Sequence, residues 1–145
     1  MTTLSSATFA SHYPVTGEVL AEYPITDRDQ VIAAVARARA ASAAWQNLGF
    51  KGRRKVLLQW SNLLISKLDE ITEIVSRETG KPVSDAKLEV SLTVSHLGWA
   101  ARHAEEIMRT SHRAPGALMA NMAATVERSP LGVVGVIGPW NYPIF

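Results

Sequence analysis

Residues 133–137 read Val-Val-Gly-Val-Ile, apolar but for one glycine, and the run stops at Gly138-Pro139. A β-branched run that short, with no polar alternation, suits a strand buried on both faces in the middle of a parallel sheet. Proline ends it, because it has no N–H for the ladder and fixes its own φ. One polar side chain follows, Asn141, between Pro139 and Pro143. Each proline also restricts the residue before it, so Gly138 and Tyr142 have little freedom. The reading therefore presents an amide just past the carboxyl end of a buried strand, where open α/β sheets bind ligands. An amide has two N–H donors and one acceptor oxygen. A fixed donor of this kind can stabilise a developing oxyanion, an effect worth roughly 10²–10³ in turnover. The plainer alternative is a turn asparagine. Spacing alone favours the turn; the strand ending, the two prolines and Trp140 narrow the gap. An amide facing bulk solvent, or a run without strand neighbours, would undercut the oxyanion reading.

Upstream the chain reads as helices. Residues 1–10 are small and polar and are expected to fray. Residues 13–15 and 18–23 flank Thr16-Gly17 and suggest a β-hairpin. Thr26 is placed as the N-cap of a first helix, with Asp27 and Asp29 favouring its positive end. Val31, Val35, Ala38, Ser42 and Trp45 make one face of it. A second helix over 52–67 carries the stripe Val56, Leu57, Trp60, Leu63, Leu64 and Leu68. Lys51, Arg53, Arg54 and Lys55 crowd its start, where cations are disfavoured. They are read as a solvated face, with an anion or a partner's carboxylates as the alternative. Asp69 is placed as the cap of a third helix ending at Thr79, with Ile71, Ile74 and Val75 inside, Gly80 at the C′ position and Pro82 blocking continuation. A long fourth helix is expected over 83–108, with Leu88, Leu92, Ser95, Trp99 and Ile107 in the buried register and Gly98 at a close approach to another helix. His96 and His103 are seven apart, not the four of a zinc pair, so no metal role is assigned. A loop over 110–122 precedes a short strand at 124–128.

Composition excludes several classes. With 47% hydrophobic and 19% charged residues, the 145-residue chain has an ordinary globular balance. A net charge of +2 with dispersed cations does not point to nucleic acid. No run has transmembrane length, and residues 1–12 lack the pattern of a secretory signal, so a cytoplasmic location is expected. There is no cysteine, which rules out disulfides, thiolate metal sites and a cysteine nucleophile within these residues.

Residues 129–143, Ser-Pro-Leu-Gly-Val-Val-Gly-Val-Ile-Gly-Pro-Trp-Asn-Tyr-Pro, closely resemble the proline-tryptophan-asparagine segment of the aldehyde dehydrogenase superfamily. Residues 14–19 are similar to that family's amino-terminal hairpin, and Glu78-Thr79-Gly80-Lys81-Pro82 to its helix-ending motif. The resemblance implies an α/β fold: the amino-terminal part of a Rossmann-like enzyme, mostly helical here, with an amino-terminal hairpin and a carboxy-terminal buried strand. It implies that 1–145 is an incomplete NAD(P)-binding domain, that 124–128 belongs to an oligomerisation sheet, and that the catalytic domain lies after 145. It implies oxidation of a small aldehyde to an acid with NAD or NADP, through a cysteine thiohemiacetal and thioester, in a homo-oligomer without nucleic acid or membrane. Asn141 would then be the catalytic oxyanion donor, and Ile137, Gly138, Pro139, Trp140 and Asn141 would contact the cofactor. The nucleophile, the general-base glutamate and the ribose-binding residues are not among these residues, so the chain alone is expected to be inactive. Two alternatives stand beside this: coenzyme A as acyl acceptor in place of water, and a non-catalytic helical interaction module.

Overall fold

The computed structural model describes residues 7–145. Of the ten residues expected to fray, 1–6 lie outside the described residues. Thr8, Phe9 and Ala10 are instead paired, in strand β1 (Thr8–His12), which runs antiparallel to β2 (Val19–Pro24). The hairpin thus starts earlier than read, and its turn spans the residues expected to begin the first strand. Tyr13 O accepts from Gly17 N at 2.7 Å, and Tyr13 N donates to Glu18 O at 2.8 Å. Phe9 and Tyr23 face each other across the ladder with ring centroids 5.6 Å apart, a stabilising cross-strand pair.

Four helices follow: α1 (Arg28–Asn47), α2 (Gly49–Ser66), α3 (Leu68–Thr79) and α4 (Val83–Met108). The cap of α1 is Asp27, not Thr26. Gln30 N donates to Asp27 Oδ1 at 2.8 Å and Asp27 N donates to Gln30 Oε1 at 2.9 Å. Only that frame sets a glutamine three residues after the cap, as a capping box needs. α2 begins three residues before the expected start. There Arg53 Nη1 donates to Gln46 O at 3.2 Å, so one member of the basic cluster answers an open carbonyl at the end of α1. Lys67, not Asp69, sits at the cap position of α3, with no side-chain capping bond; its ammonium pairs instead with Glu70 Oε2 at 2.6 Å. The chain barely breaks between α2 and α3, since Lys67 N still bonds to Leu63 O and Ile71 N to Lys67 O.

The core sits where α4 lies along α2 and α3. Its buried residues are Ser61, Thr72, Val75, Ala86, Glu89, Val90, Gly98 and Ala101. This corrects the register read for α4: Leu88, Leu92, Ser95, Trp99 and Ile107 are exposed. Small residues face inward, and the helices can approach closely over them. Ile74 of α3 is likewise exposed, as are Val56, Trp60 and Leu63 of α2, while Leu57, Leu64 and Leu68 are half-buried. α1 buries none of its residues. Gly98 is buried, but the atom nearest to a side chain there would be Arg102 Nη1, one turn along the same helix, at 2.9 Å. The expected helix–helix approach is not what occupies that space.

The hairpin docks on the end of α3. Ser11 Oγ donates to Glu78 Oε1 at 2.9 Å and Arg77 Nη2 to Glu18 Oε1 at 3.1 Å. Gly80 ends α3 with φ +74, and a Cβ there would lie 2.8 Å from Pro14 Cγ. Glycine is required both by the left-handed backbone and by the contact.

After α4, the expected loop contains β3 (Ser111–Arg113) and a 3₁₀ turn at Ala117–Met119. β3 pairs antiparallel with β4 (Ala124–Val126), from Ser111↔Val126 to Arg113↔Ala124. Ser-His-Arg has no apolar alternation to betray it as a strand; its pairing makes it one. β4 stops at Val126 because β3 offers three partners only. The buried strand read at 133–137 is not formed. Val133, Val134, Val136 and Ile137 are 37, 64, 87 and 98% exposed. A central parallel strand needs ladder partners on both edges and cover on both faces. Among the described residues the strands form two separate hairpins, and neither borders this run.

Candidate active site

The structure keeps Ile137, Gly138, Pro139, Trp140 and Asn141 together by sequence adjacency, on an exposed surface. Trp140 is 87% exposed. Asn141 is exposed, and its side-chain amide makes no hydrogen bond among the described residues. With no strand at 133–137, Asn141 does not stand at the end of a buried strand. Something else fixes this asparagine.

That anchor is an ion pair. Lys81 leaves the turn between α3 and α4, and Glu89 projects from the second turn of α4. Lys81 Nζ lies 2.6 Å from Glu89 Oε2, with the carboxylate wholly buried and the lysine side chain 16% exposed. The same ammonium donates to Asn141 O at 2.7 Å and sits 4.7 Å from the centre of the Tyr142 ring, a cation–π distance. The second carboxylate oxygen, Glu89 Oε1, accepts from Ile144 N at 3.1 Å. The Thr93 hydroxyl lies 3.2 Å from Ile144 O. Ile144 lines a cavity of about 350 Å³ together with Trp60, Leu64, Ile71, Val90 and Thr93. Ser76 Oγ donates to Lys81 O at 2.8 Å and holds the turn that carries the lysine. Pro143 O would lie 3.3 Å from a Cβ at position 138, so the segment folds back closely on Gly138.

Lys81, Glu89 and Thr93 carry no role in the sequence reading. Lys81 stands inside a visible motif but is noted there only as part of a helix ending. Glu89 had one available signal: a carboxylate three residues after Ala86 and beside Val90, on the buried face. Such a group is costly to bury unless paired, which points to a nearby cation. His96 and His103 are accounted for differently. Both stack on Trp99, with centroids 6.4 and 4.8 Å away. Among the described residues no three potential metal ligands converge.

A model of the aldehyde dehydrogenase family matches residues 2–145. The chain belongs to the aldehyde dehydrogenase family. It is 36% identical over 135 residues to a protein of Sinorhizobium fredii named as a probable succinate-semialdehyde dehydrogenase (NADP+), covering 93% of this chain and 27% of that protein. It is 33% identical over 130 residues to an Escherichia coli succinate-semialdehyde dehydrogenase (NADP+), covering 90% of this chain and 26% of the other. The crystal structure of a Burkholderia pseudomallei succinate-semialdehyde dehydrogenase aligns with a TM-score of 0.83 at 33% identity, over 94% of this chain and 28% of that one. The helices and amino-terminal hairpin are thus the amino-terminal part of the aldehyde dehydrogenase α/β fold. The chain spans about a quarter of the length of the curated aldehyde dehydrogenases it matches. Among the described residues, no helix is long and apolar enough to cross a membrane.

Proposed function

We propose that these residues are the amino-terminal part of an NAD(P)-dependent aldehyde dehydrogenase, and that its substrate is a small semialdehyde oxidised to the acid. The family match over residues 2–145 carries this reading, with the names of the succinate-semialdehyde dehydrogenases in support. Residues 1–145 are then an incomplete cofactor-binding domain, and β3–β4 contributes to a sheet shared between subunits.

Within that enzyme Asn141 donates from its side-chain NH₂ to the substrate oxygen as a nucleophile adds to the aldehyde carbon. The match of residues 129–143 to the family's proline-tryptophan-asparagine segment supports this role; the solvent-exposed amide does not. A bound NAD(P) would supply the hydride acceptor for that carbon. The residues present fit such a group. The backbone of Ile137, Gly138, Pro139 and Trp140 forms no hydrogen bond with the rest of the described chain, so its polar groups are free for a ligand. The exposed Trp140 adds an apolar face beside them. With no cysteine, the 145 residues alone have no nucleophile for the thioester route.

The test is Asn141→Ala in the enzyme expressed from its complete reading frame. Turnover should fall by about 10²–10³, the usual effect of removing one oxyanion donor, while affinity for NADP changes little. Equal losses in turnover and cofactor affinity would reject the oxyanion role.

A further inference from the structure

We infer that Lys81 and Glu89 are positioning residues: the pair sets where the Asn141 amide points, and it does so by gripping the backbone on that residue's carboxyl side. The inference rests on the oxyanion reading given above. Three of its contacts fall within four residues. Lys81 Nζ holds Asn141 O at 2.7 Å, and the same ammonium sits 4.7 Å from the Tyr142 ring centre. Glu89 Oε1 holds Ile144 N at 3.1 Å. The carbonyl oxygen of residue 141 belongs to the peptide plane next to the α-carbon that bears the amide. Holding that plane anchors the carboxyl side of the Asn141 α-carbon and so limits the positions its side chain can take. On the amino side, among the described residues, no hydrogen bond holds 131–140.

Packing alone does not explain the pair. A buried ion pair is often no more stabilising than apolar residues of the same volume, and the surrounding face of α4 is already apolar. What distinguishes this pair is where its remaining hydrogen-bonding capacity goes. One carboxylate oxygen serves Lys81 and the other serves the segment. One ammonium serves both Glu89 and the segment. The α3–α4 turn and the second turn of α4 are thereby connected to the residue proposed to meet the substrate.

A double-mutant cycle in the complete enzyme tests this, with turnover measured at saturating aldehyde and NADP. Lys81→Met should lower kcat roughly tenfold to a hundredfold, the scale of a 1 Å misplacement at a reacting centre, and leave the KM for NADP within about twofold. In an Asn141→Ala background the same substitution should cost less than about twofold, because residues acting as one unit are not additive. Hydrogen exchange at the Ile144 amide should quicken in Glu89→Ala and not in Asn141→Ala. Additive losses in the cycle, or unchanged kcat in Lys81→Met, overturn the positioning role. Where Lys81→Met does not accumulate as folded enzyme, Lys81→Gln goes through the same cycle. An unchanged turnover in Asn141→Ala rejects the oxyanion reading itself, and the Ile144 exchange then still reports whether the grip exists.

Discussion

Glu89 places a carboxylate in a helix face that otherwise buries Ala86, Val90, Gly98 and Ala101. Removing one partner of such a pair leaves the other without its counter-charge. Glu89→Ala should therefore destabilise the 145-residue chain by about 3 kcal/mol, the low end for a broken buried pair, because Lys81 partly reaches water. Urea unfolding read by circular dichroism checks this. Thr72 is the opposite case. It is buried, and its hydroxyl has no hydrogen-bond partner among the described residues. Thr72→Val keeps the shape and removes the orphan, so its unfolding free energy should stay the same or rise, by up to about 1 kcal/mol. Neither residue was legible in the sequence as a site. The asparagine and its prolines were, because their spacing constrains the chain locally. The partner of Asn141 O lies sixty residues away, and one-dimensional spacing says nothing about that.

At the scale of elements, the ends of α3 and α4 are readable while the caps at Thr26 and Asp69 are not, and burial is legible at Val75 but not at Ile74 or along α4. Gly80 and Pro82 marked the end of α3, and α4 has the bounds its pattern suggested. Gly80→Ala should cost about 1 kcal/mol or more through its positive φ alone. It should also loosen the hairpin, since the new methyl meets Pro14. A lower melting temperature together with faster amide exchange in β1 and β2 would verify both effects; a lower melting temperature with unchanged exchange would refute the second. The buried face of α4 was misread because bulk was taken as the sign of burial. In the fold, Ala86, Val90 and Ala101 are buried, and Leu88, Leu92 and Trp99 lie outside the contact. Close approach over small residues outweighs side-chain size when three helices share a narrow core.

For the whole molecule, the run at 133–137 shows the limit of local reading. Its composition suits a central strand, but a strand is a property of its neighbours. Leu118, Leu131, Val136, Ile137 and Trp140 all stand 87% exposed or more. Apolar surface on that scale invites association. The isolated 145-residue chain should bind a hydrophobic dye and sediment as a concentration-dependent mixture, and Val136→Glu with Ile137→Lys should reduce both. The fold class was legible because three motifs lay in the right order, and motif order survives where the burial of single side chains cannot be seen.

The amino-terminal hairpin is held by Glu78 and Arg77, which follow Ser11 and Glu18 by 67 and 59 positions. On a ribosome the hairpin leaves the exit tunnel well before α3 does. It has to wait, unanchored, until the helix that receives it has been synthesised. A two-stranded ribbon is barely stable by itself in water, so translation speed through the 25–80 stretch sets how long this part of the nascent chain stays open to proteases and chaperones.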